Sequence, residues 1–257
     1  MINRNIVVTG GTGHLGLEIA KKLLSNSFYN LILIDKKKIN NKKTINKLNK
    51  KFKKRVYLIE CDISKKNSFE LIKKKINKNF KKIDVIINNA AYYENDKGFA
   101  ATFFKEKYES WERVFKVNLF APFFLVQTLY KLMIKSKNSS VINIGSIYGS
   151  VAPDFNLYNG TKMTNPGSYN CSKGAMVQLT KWMSSFLAPK IRTNIISPGG
   201  IFRNQDKNFL RKYNSKNPMN RMASEIDVAN LVNFLVSNDA NYLNGQNIFV
   251  DGGLSNL

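Results

Sequence analysis

The sequence predicts an α/β fold: one doubly wound parallel sheet of about seven strands with helices on both faces, in a single domain spanning residues 1–257. Three observations predict it. Short apolar runs alternate with amphipathic runs of helical period along the chain. A glycine cluster, Gly10 to Gly16, follows the first apolar run at once and opens the first helix. Small or amide-bearing residues recur just past later strands, at Asn88-Asn89-Ala90, Gly145-Ser146 and Ser197-Pro198-Gly199, where a sheet of this kind binds ligands.

Taken in order, residues 5 to 9 form the first strand and an amphipathic run reaches Ser25. Between them lies Gly10-Gly11-Thr12-Gly13-His14-Leu15-Gly16. This strand, glycine turn, helix order suits a dinucleotide pyrophosphate in a Rossmann-like arrangement, because glycines admit the phosphates close to backbone and the helix N-terminus offers unpaired N–H groups. A plain glycine-rich turn is the other reading. The second strand, Asn30 to Ile34, ends on Asp35. A carboxylate there accepts from both adenosine ribose hydroxyls and repels a 2'-phosphate, which favours NAD; Lys36, Lys37 and Lys38 blunt that repulsion, so NADP stays open.

Residues 41 to 53 read as a helix, and Arg55 to Glu60 as a third strand running into Cys61-Asp62-Ile63. Asp62 either accepts from the adenine amino group or caps the helix of residues 67 to 79. Strand four, Ile83 to Ile87, delivers Asn88, Asn89 and Ala90, with Asn88 at the sheet edge or on the adenosine side. One long helix is expected from Ser110 to Ser136, carrying Asn118 within an apolar stretch, where a buried amide needs a water or a backbone group as partner. Its stripe of Phe115, Leu119, Phe123, Val126 and Tyr130 is either core packing or a helix-to-helix subunit interface.

Strand five, Val141 to Ile144, gives Gly145-Ser146. Residues 147–168 are too polar and punctuated for a helix and read as a loop over the site. A helix from 167 to 188 follows, on which Tyr169 and Lys173 lie four apart on one face. A phenol titrates near about 10, and an ammonium beside it favours the phenolate, so the pair is equipped to exchange a proton with a hydroxyl or carbonyl. Spacing alone also fits a surface pair. Strand six, Ile191 to Ile196, leads to Ser197-Pro198-Gly199-Gly200; residues 200–222, without strong periodicity, read as a mobile lid whose Arg203, Lys207, Arg211, Lys212 and Arg221 suit a phosphate or a nucleotide. A helix from 224 to 237 and a last strand, 247 to 250, complete the sheet.

Composition bounds the function. The net charge is +24, which raises nucleic acid as a partner. Residues 36 to 55, however, hold ten Lys and one Arg interleaved with Asn and Ile rather than with aromatics or glycine, a pattern that also fits solvated helix faces. Cys61 and Cys171 form no metal-spaced pair, and His14, the one histidine, lies in the glycine turn, so no metal site is expected and no histidine triad is available. With no signal peptide ahead of Asn5 and no apolar run long enough to span a bilayer, a cytoplasmic protein without membrane or nucleic-acid partners is expected.

Together, Thr9 to Gly16, Asp62, Asn88-Asn89-Ala90, Asn118, Ser146, Tyr169 to Lys173, Ser197 to Gly200 and Asp251-Gly252-Gly253 resemble the short-chain dehydrogenase/reductase family over nearly the whole chain. The resemblance implies a catalytic tetrad of Asn118, Ser146, Tyr169 and Lys173. Tyr169 would be the acid/base, Ser146 the partner of the reacting oxygen, Lys173 the group that lowers the Tyr169 pKa and holds the nicotinamide ribose, and Asn118 the anchor of a relay water. It implies a cofactor site of Gly10, Thr12, Gly13, His14, Leu15, Gly16, Asp35, Asp62, Ile63, Asn89, Ala90, Tyr169, Lys173, Pro198, Gly199 and Ile201, and a tetramer or dimer. Three departures stand out: His14 in place of the shorter branch's glycine, Ala91 in place of a usual glycine, and Arg203 where a threonine often contacts the carboxamide. The interval from Ser146 to Tyr169 is longer than usual and resembles oxidoreductases of bacterial surface-polysaccharide and flagellin-glycan pathways. The expected substrate is a sugar or sugar phosphate. The alternatives are a sugar-nucleotide epimerase or dehydratase that retains NAD, and a non-enzymatic nucleic-acid-binding protein on the same scaffold.

Overall fold

The structure is a computed structural model that describes residues 3–36, 41–93 and 103–256. Seven parallel strands form one sheet in the order β3-β2-β1-β4-β5-β6-β7, with β1 Arg4–Thr9, β2 Tyr29–Asp35, β3 Val56–Glu60, β4 Val85–Asn88, β5 Ser139–Ile144, β6 Ile191–Pro198 and β7 Asn247–Val250. Strand order reverses between β1 and β4, which opens a crevice at their carboxyl ends. Strands such as Leu31-Ile32-Leu33-Ile34 are apolar on both faces because helices cover both.

Helices α1 (His14–Leu24), α2 (Asn41–Lys51) and α8 (Glu225–Val236) lie over one face. There Ile19, Leu23, Ile45, Val228 and Val232 pack on Ile6, Val8 and Leu33. The other face carries α3 (Ser68–Asn79), α5 (Ala121–Met133) and α6 (Gly167–Leu187), with Ile72, Ile76, Leu125, Leu129 and Met183 against Val7, Ile32 and Ile86. No helix among the described residues is long and apolar enough to cross a membrane.

Two expected elements differ. The single helix of 110–136 is two helices, α4 (Tyr108–Phe115) and α5, joined by a π turn at Lys116–Phe120 that contains Asn118. The buried apolar side is Val114, Val117, Ala121, Leu125, Val126, Leu129 and Met133, whereas of the stripe expected from sequence only Val126 is buried and Phe115, Leu119, Phe123 and Tyr130 are half-buried. The lid contains a helix, α7 (Lys207–Lys216), capped by Asp206, whose side chain accepts from the Asn208 and Phe209 N–H groups. Only Phe209 and Tyr213 of α7 are buried, a stripe too narrow to stand out among its charges. In the 147–168 loop, short 3-10 turns occur at Ile147–Gly149 and Phe155–Tyr158.

Candidate active site

At the carboxyl end of the sheet lies a cleft of about 1230 Å³ running from the glycine turn to the loop and lid. The predicted site residues line it with three exceptions: Thr12, Asp62 and Asn118.

The glycine end is built by close packing. Gly10 has φ +63°, and a Cβ on Gly16 would sit 2.2 Å from the Gly10 carbonyl oxygen, so side chains at these positions would force α1 off the turn. Asn89 does not reach across the cleft. Its Nδ2 donates to the Thr9 and Gly10 carbonyls at 2.9 and 3.2 Å, while the Asn89 and Ala90 N–H groups donate to Thr9 Oγ1. Helix α1 begins at Gly13 with no side-chain cap and no carboxylate in its first turn. Its leading N–H groups and the positive end of its dipole therefore suit an anionic phosphate.

Asp35 is buried at the edge of this end. Its Oδ2 accepts from Thr12 N at 2.9 Å and Thr12 Oγ1 at 2.6 Å, and its Oδ1 from Lys36 N at 2.8 Å. Thr12 thus orients the acid rather than lining the cleft. Asp62 does not cap the helix, since α3 has Asn67 as its N-cap and no side-chain cap bond; its Oδ1 instead accepts from Ser64 N and Oγ at 3.0 and 2.7 Å in the turn after β3, and against burial, which raises its pKa, these bonds hold the carboxyl low. Lys36 Nζ lies 3.7 Å from Asp62 Oδ2 and over the Tyr92 ring. Lys37 and Lys38 lie outside the described residues.

At the centre, Ser146 stands beside the Tyr169 phenol, where it partly offsets the effect of burial, and its Oγ accepts from Tyr148 N at 3.2 Å. Tyr93 meets Tyr169 edge-on at 6.4 Å between centroids. Lys173 is 2% exposed, with Nζ 5.6 Å from the Tyr169 ring centroid and donating to the Ile144 carbonyl at 2.7 Å. The structure corrects the expected electrostatics. Burial pushes the Tyr169 phenol up to about 12 rather than down, and brings Lys173 down to about 8. The Lys173 Nζ donates to the Ile144 carbonyl, and desolvation is the largest effect on the phenol.

Asn118 takes one of its two expected partners. It is fully buried, its Oδ1 accepts from Tyr92 N at 2.7 Å, and its Nδ2 donates to Tyr92 O at 2.9 Å and Ser172 Oγ at 3.0 Å. The backbone partner, of the two anticipated, takes the side chain, which ties the loop after β4 to α6. Beneath it, Asn88 Nδ2 donates to Asn143 Oδ1 and Asn143 Nδ2 to Thr180 Oγ1, both at 2.8 Å, so Asn88 braces the sheet.

The far end joins loop and lid. Leu157, Tyr158, Phe209, Tyr213 and Met222 form a small core of their own, and Tyr213 Oη accepts from Gly200 N at 2.7 Å. The lid cations largely hold protein together. Arg203 pairs with Glu225, Lys216 with Asp154 and Arg221 with Asp227, while Lys212 donates to the Asn156 and Asn159 carbonyls. Of the five named from sequence, only Arg203 lines the cleft. The sequence reading did not place Tyr93, Asn165 or Tyr213 in the site; for Tyr213 the available signal was its spacing four residues after Phe209.

Comparison with known proteins matches residues 13–255 to the family model described as Enoyl-(Acyl carrier protein) reductase. The chain is 32% identical to a 3-oxoacyl-(acyl-carrier-protein) reductase FabG of Buchnera aphidicola subsp. Baizongia pistaciae, over 96% of each chain. It is 28% identical to post-translational flagellin modification protein A of Campylobacter coli, over 98% of each. Among solved structures, a short chain dehydrogenase from Leptospira borgpetersenii with bound NAD+ superposes with a TM-score of 0.85 at 30% identity, covering 99% of this chain and 94% of that one.

Proposed function

This chain belongs to the short-chain dehydrogenase/reductase family of nicotinamide-dependent oxidoreductases, and from that premise we propose that it interconverts a secondary alcohol and a ketone on a sugar-like substrate, with Tyr169 as acid/base. The observation that carries the proposal is that Ser146, Tyr169 and Lys173 line one cleft, with Lys173 Nζ over the Tyr169 ring, and that this cleft continues to the uncapped N-terminus of α1.

The residues present fit a dinucleotide. Gly10, Gly13, His14 and Gly16 line the cleft at the uncapped start of α1, where its phosphates would lie, and a carboxylate at Asp35, in the cleft wall at the end of β2, favours NAD. Lys173, Pro198, Gly199 and Ile201 line the same cleft and would hold the nicotinamide riboside. When bound, the cofactor supplies or accepts hydride at the substrate carbon. The protein handles the proton. Because burial keeps the Tyr169 phenol protonated at neutral pH, it is set to give a proton to a carbonyl oxygen, and the Ser146 hydroxyl orients both. Asn118 acts at a distance, by holding Tyr92 and Ser172, and so the floor of the site.

The sugar-like reading rests on the polar far end, where Tyr148, Tyr158, Thr161 and Asn165 line the cleft, and on the likeness to a flagellin modification protein. The 3-oxoacyl-(acyl-carrier-protein) reductase relatives favour a second substrate, a 3-oxoacyl thioester. A spectrophotometric panel of phosphorylated sugars, nucleotide-linked sugars and acetoacetyl thioester, each with NAD(H) and NADP(H), separates the two. Turnover confined to the thioester overturns the sugar reading, and conversion of a nucleotide-linked sugar without net cofactor change selects an epimerase. Exposed aromatics on α5 and α6, with Phe124 43%, Trp182 50% and Phe186 71% exposed and Trp182 stacked on Phe186 at 5.0 Å, are the face through which the cytoplasmic enzyme self-associates.

A further inference from the structure

We propose that Tyr148 recognises a hydrogen-bond acceptor on the substrate, an oxygen beside the reacting carbon, and that a one-way chain of hydrogen bonds from Asn170 through Asn165 and Tyr158 fixes it as a donor. The inference rests on the cleft being the substrate site, and it names a substrate feature shared by a sugar ring oxygen and a thioester carbonyl.

The direction of the chain follows from its first link. Asn170 Nδ2 contacts both the Pro166 carbonyl oxygen and Asn165 Oδ1. A backbone carbonyl only accepts, so the Asn170 amide presents its nitrogen, and Asn165 must present its oxygen in return. Asn165 Nδ2 then faces Tyr158 Oη at 3.2 Å and donates to it. Tyr158 is 9% exposed, and its remaining hydroxyl contact is Tyr148 Oη, at 3.2 Å. Tyr158 lines the cleft as well, and its proton is assigned to Tyr148, the hydroxyl it meets at hydrogen-bond distance among the described residues. The Tyr148 oxygen is thus an acceptor inside the chain, and its own proton is left for the cleft that the residue lines.

The position suits recognition near the chemistry. Tyr148 N donates to Ser146 Oγ, so the turn that sets Ser146 also sets Tyr148. Gly149 follows against the Lys173 carbonyl, where a Cβ would come within 2.7 Å, so the turn is seated directly on α6. Burial, with Tyr158 beside it, raises the Tyr148 pKa, which keeps the phenol neutral and a donor throughout the working range.

Two measurements test this. Neutron diffraction from deuterium-exchanged crystals of the cofactor-free chain should place the Tyr158 deuteron on the line to Tyr148 and the Tyr148 deuteron toward the cleft; the reverse arrangement overturns the chain. In kinetics, the probes are ethyl acetoacetate, which carries an ester acceptor beside the ketone, and 2-heptanone, which has none, each with NADH and NADPH. The ratio of kcat/KM for the first over the second should fall about tenfold in Tyr148→Phe. It should fall likewise in Asn165→Asp, whose carboxylate takes the Tyr158 proton and turns Tyr148 back on the chain. A ratio unchanged in both variants overturns the recognition role even if the deuterons lie as expected. Turnover of neither ketone by the wild-type chain overturns the functional reading and the role of Tyr148 with it, while the neutron result stands or falls separately.

Discussion

Lys173→Met should expose what the site costs the fold. Lys173 is almost wholly buried, and burial brings its pKa from the ordinary lysine value of 10.5 to about 8. That difference corresponds to about 3 kcal/mol spent in holding the ammonium in the folded chain. The folded pKa lies below the unfolded one, so between them the unfolded chain binds more protons. Stability therefore rises with pH across that window and carries the full penalty below about pH 8. A methionine escapes the penalty but leaves the Ile144 carbonyl without the donor it has at 2.7 Å, a loss of about 1–3 kcal/mol. At pH 7 the variant should be as stable as the wild type or up to about 2 kcal/mol more stable. By pH 10 the wild type should have gained about 2–3 kcal/mol on it. Urea unfolding of both proteins at the two pH values reads this directly, because groups common to both cancel. A stability difference that does not change with pH would refute the reasoning, as would a variant destabilised by several kcal/mol at pH 7.

Three further outcomes are expected. Gly16→Ala places a methyl 2.2 Å from the Gly10 carbonyl and 2.9 Å from Gly11 Cα, both backbone. The strain, about 1–3 kcal/mol, should weaken NADH binding about tenfold or more in a fluorescence titration. Asn118→Ala removes three hydrogen bonds and leaves the Tyr92 backbone groups unpaired; a loss of about 2–4 kcal/mol in urea unfolding is expected. The pair Phe124→Glu with Phe186→Glu should shift the oligomer toward monomer in light scattering, since these side chains are 43% and 71% exposed on the isolated chain.

Much of this architecture was legible in the sequence because its signals are local. The glycine turn, the apolar strands and the Tyr169–Lys173 spacing each depend on neighbours a few residues away. What was not legible depends on contacts far along the chain. The partners of Asn118 lie 26 and 54 positions away. Thr12 reads as part of a phosphate turn, yet its hydroxyl goes to Asp35, 23 positions on. The lid charges looked available because their carboxylate partners, Asp154 and Glu225, stand on other elements. For Tyr169 the sequence shows the cation but not the depth of burial, and burial sets the direction of the shift.

The central claim is that Tyr169 moves the proton. Tyr169→Phe keeps the ring and its contact with Tyr93 but removes the hydroxyl. Measured side by side on whichever panel substrate the wild type turns over, the variant should lose about 10²–10⁴-fold in kcat while binding NADH nearly as well as the wild type. Retention of turnover would contradict the claim, and loss of turnover and NADH binding together would assign Tyr169 to the cofactor rather than to the proton.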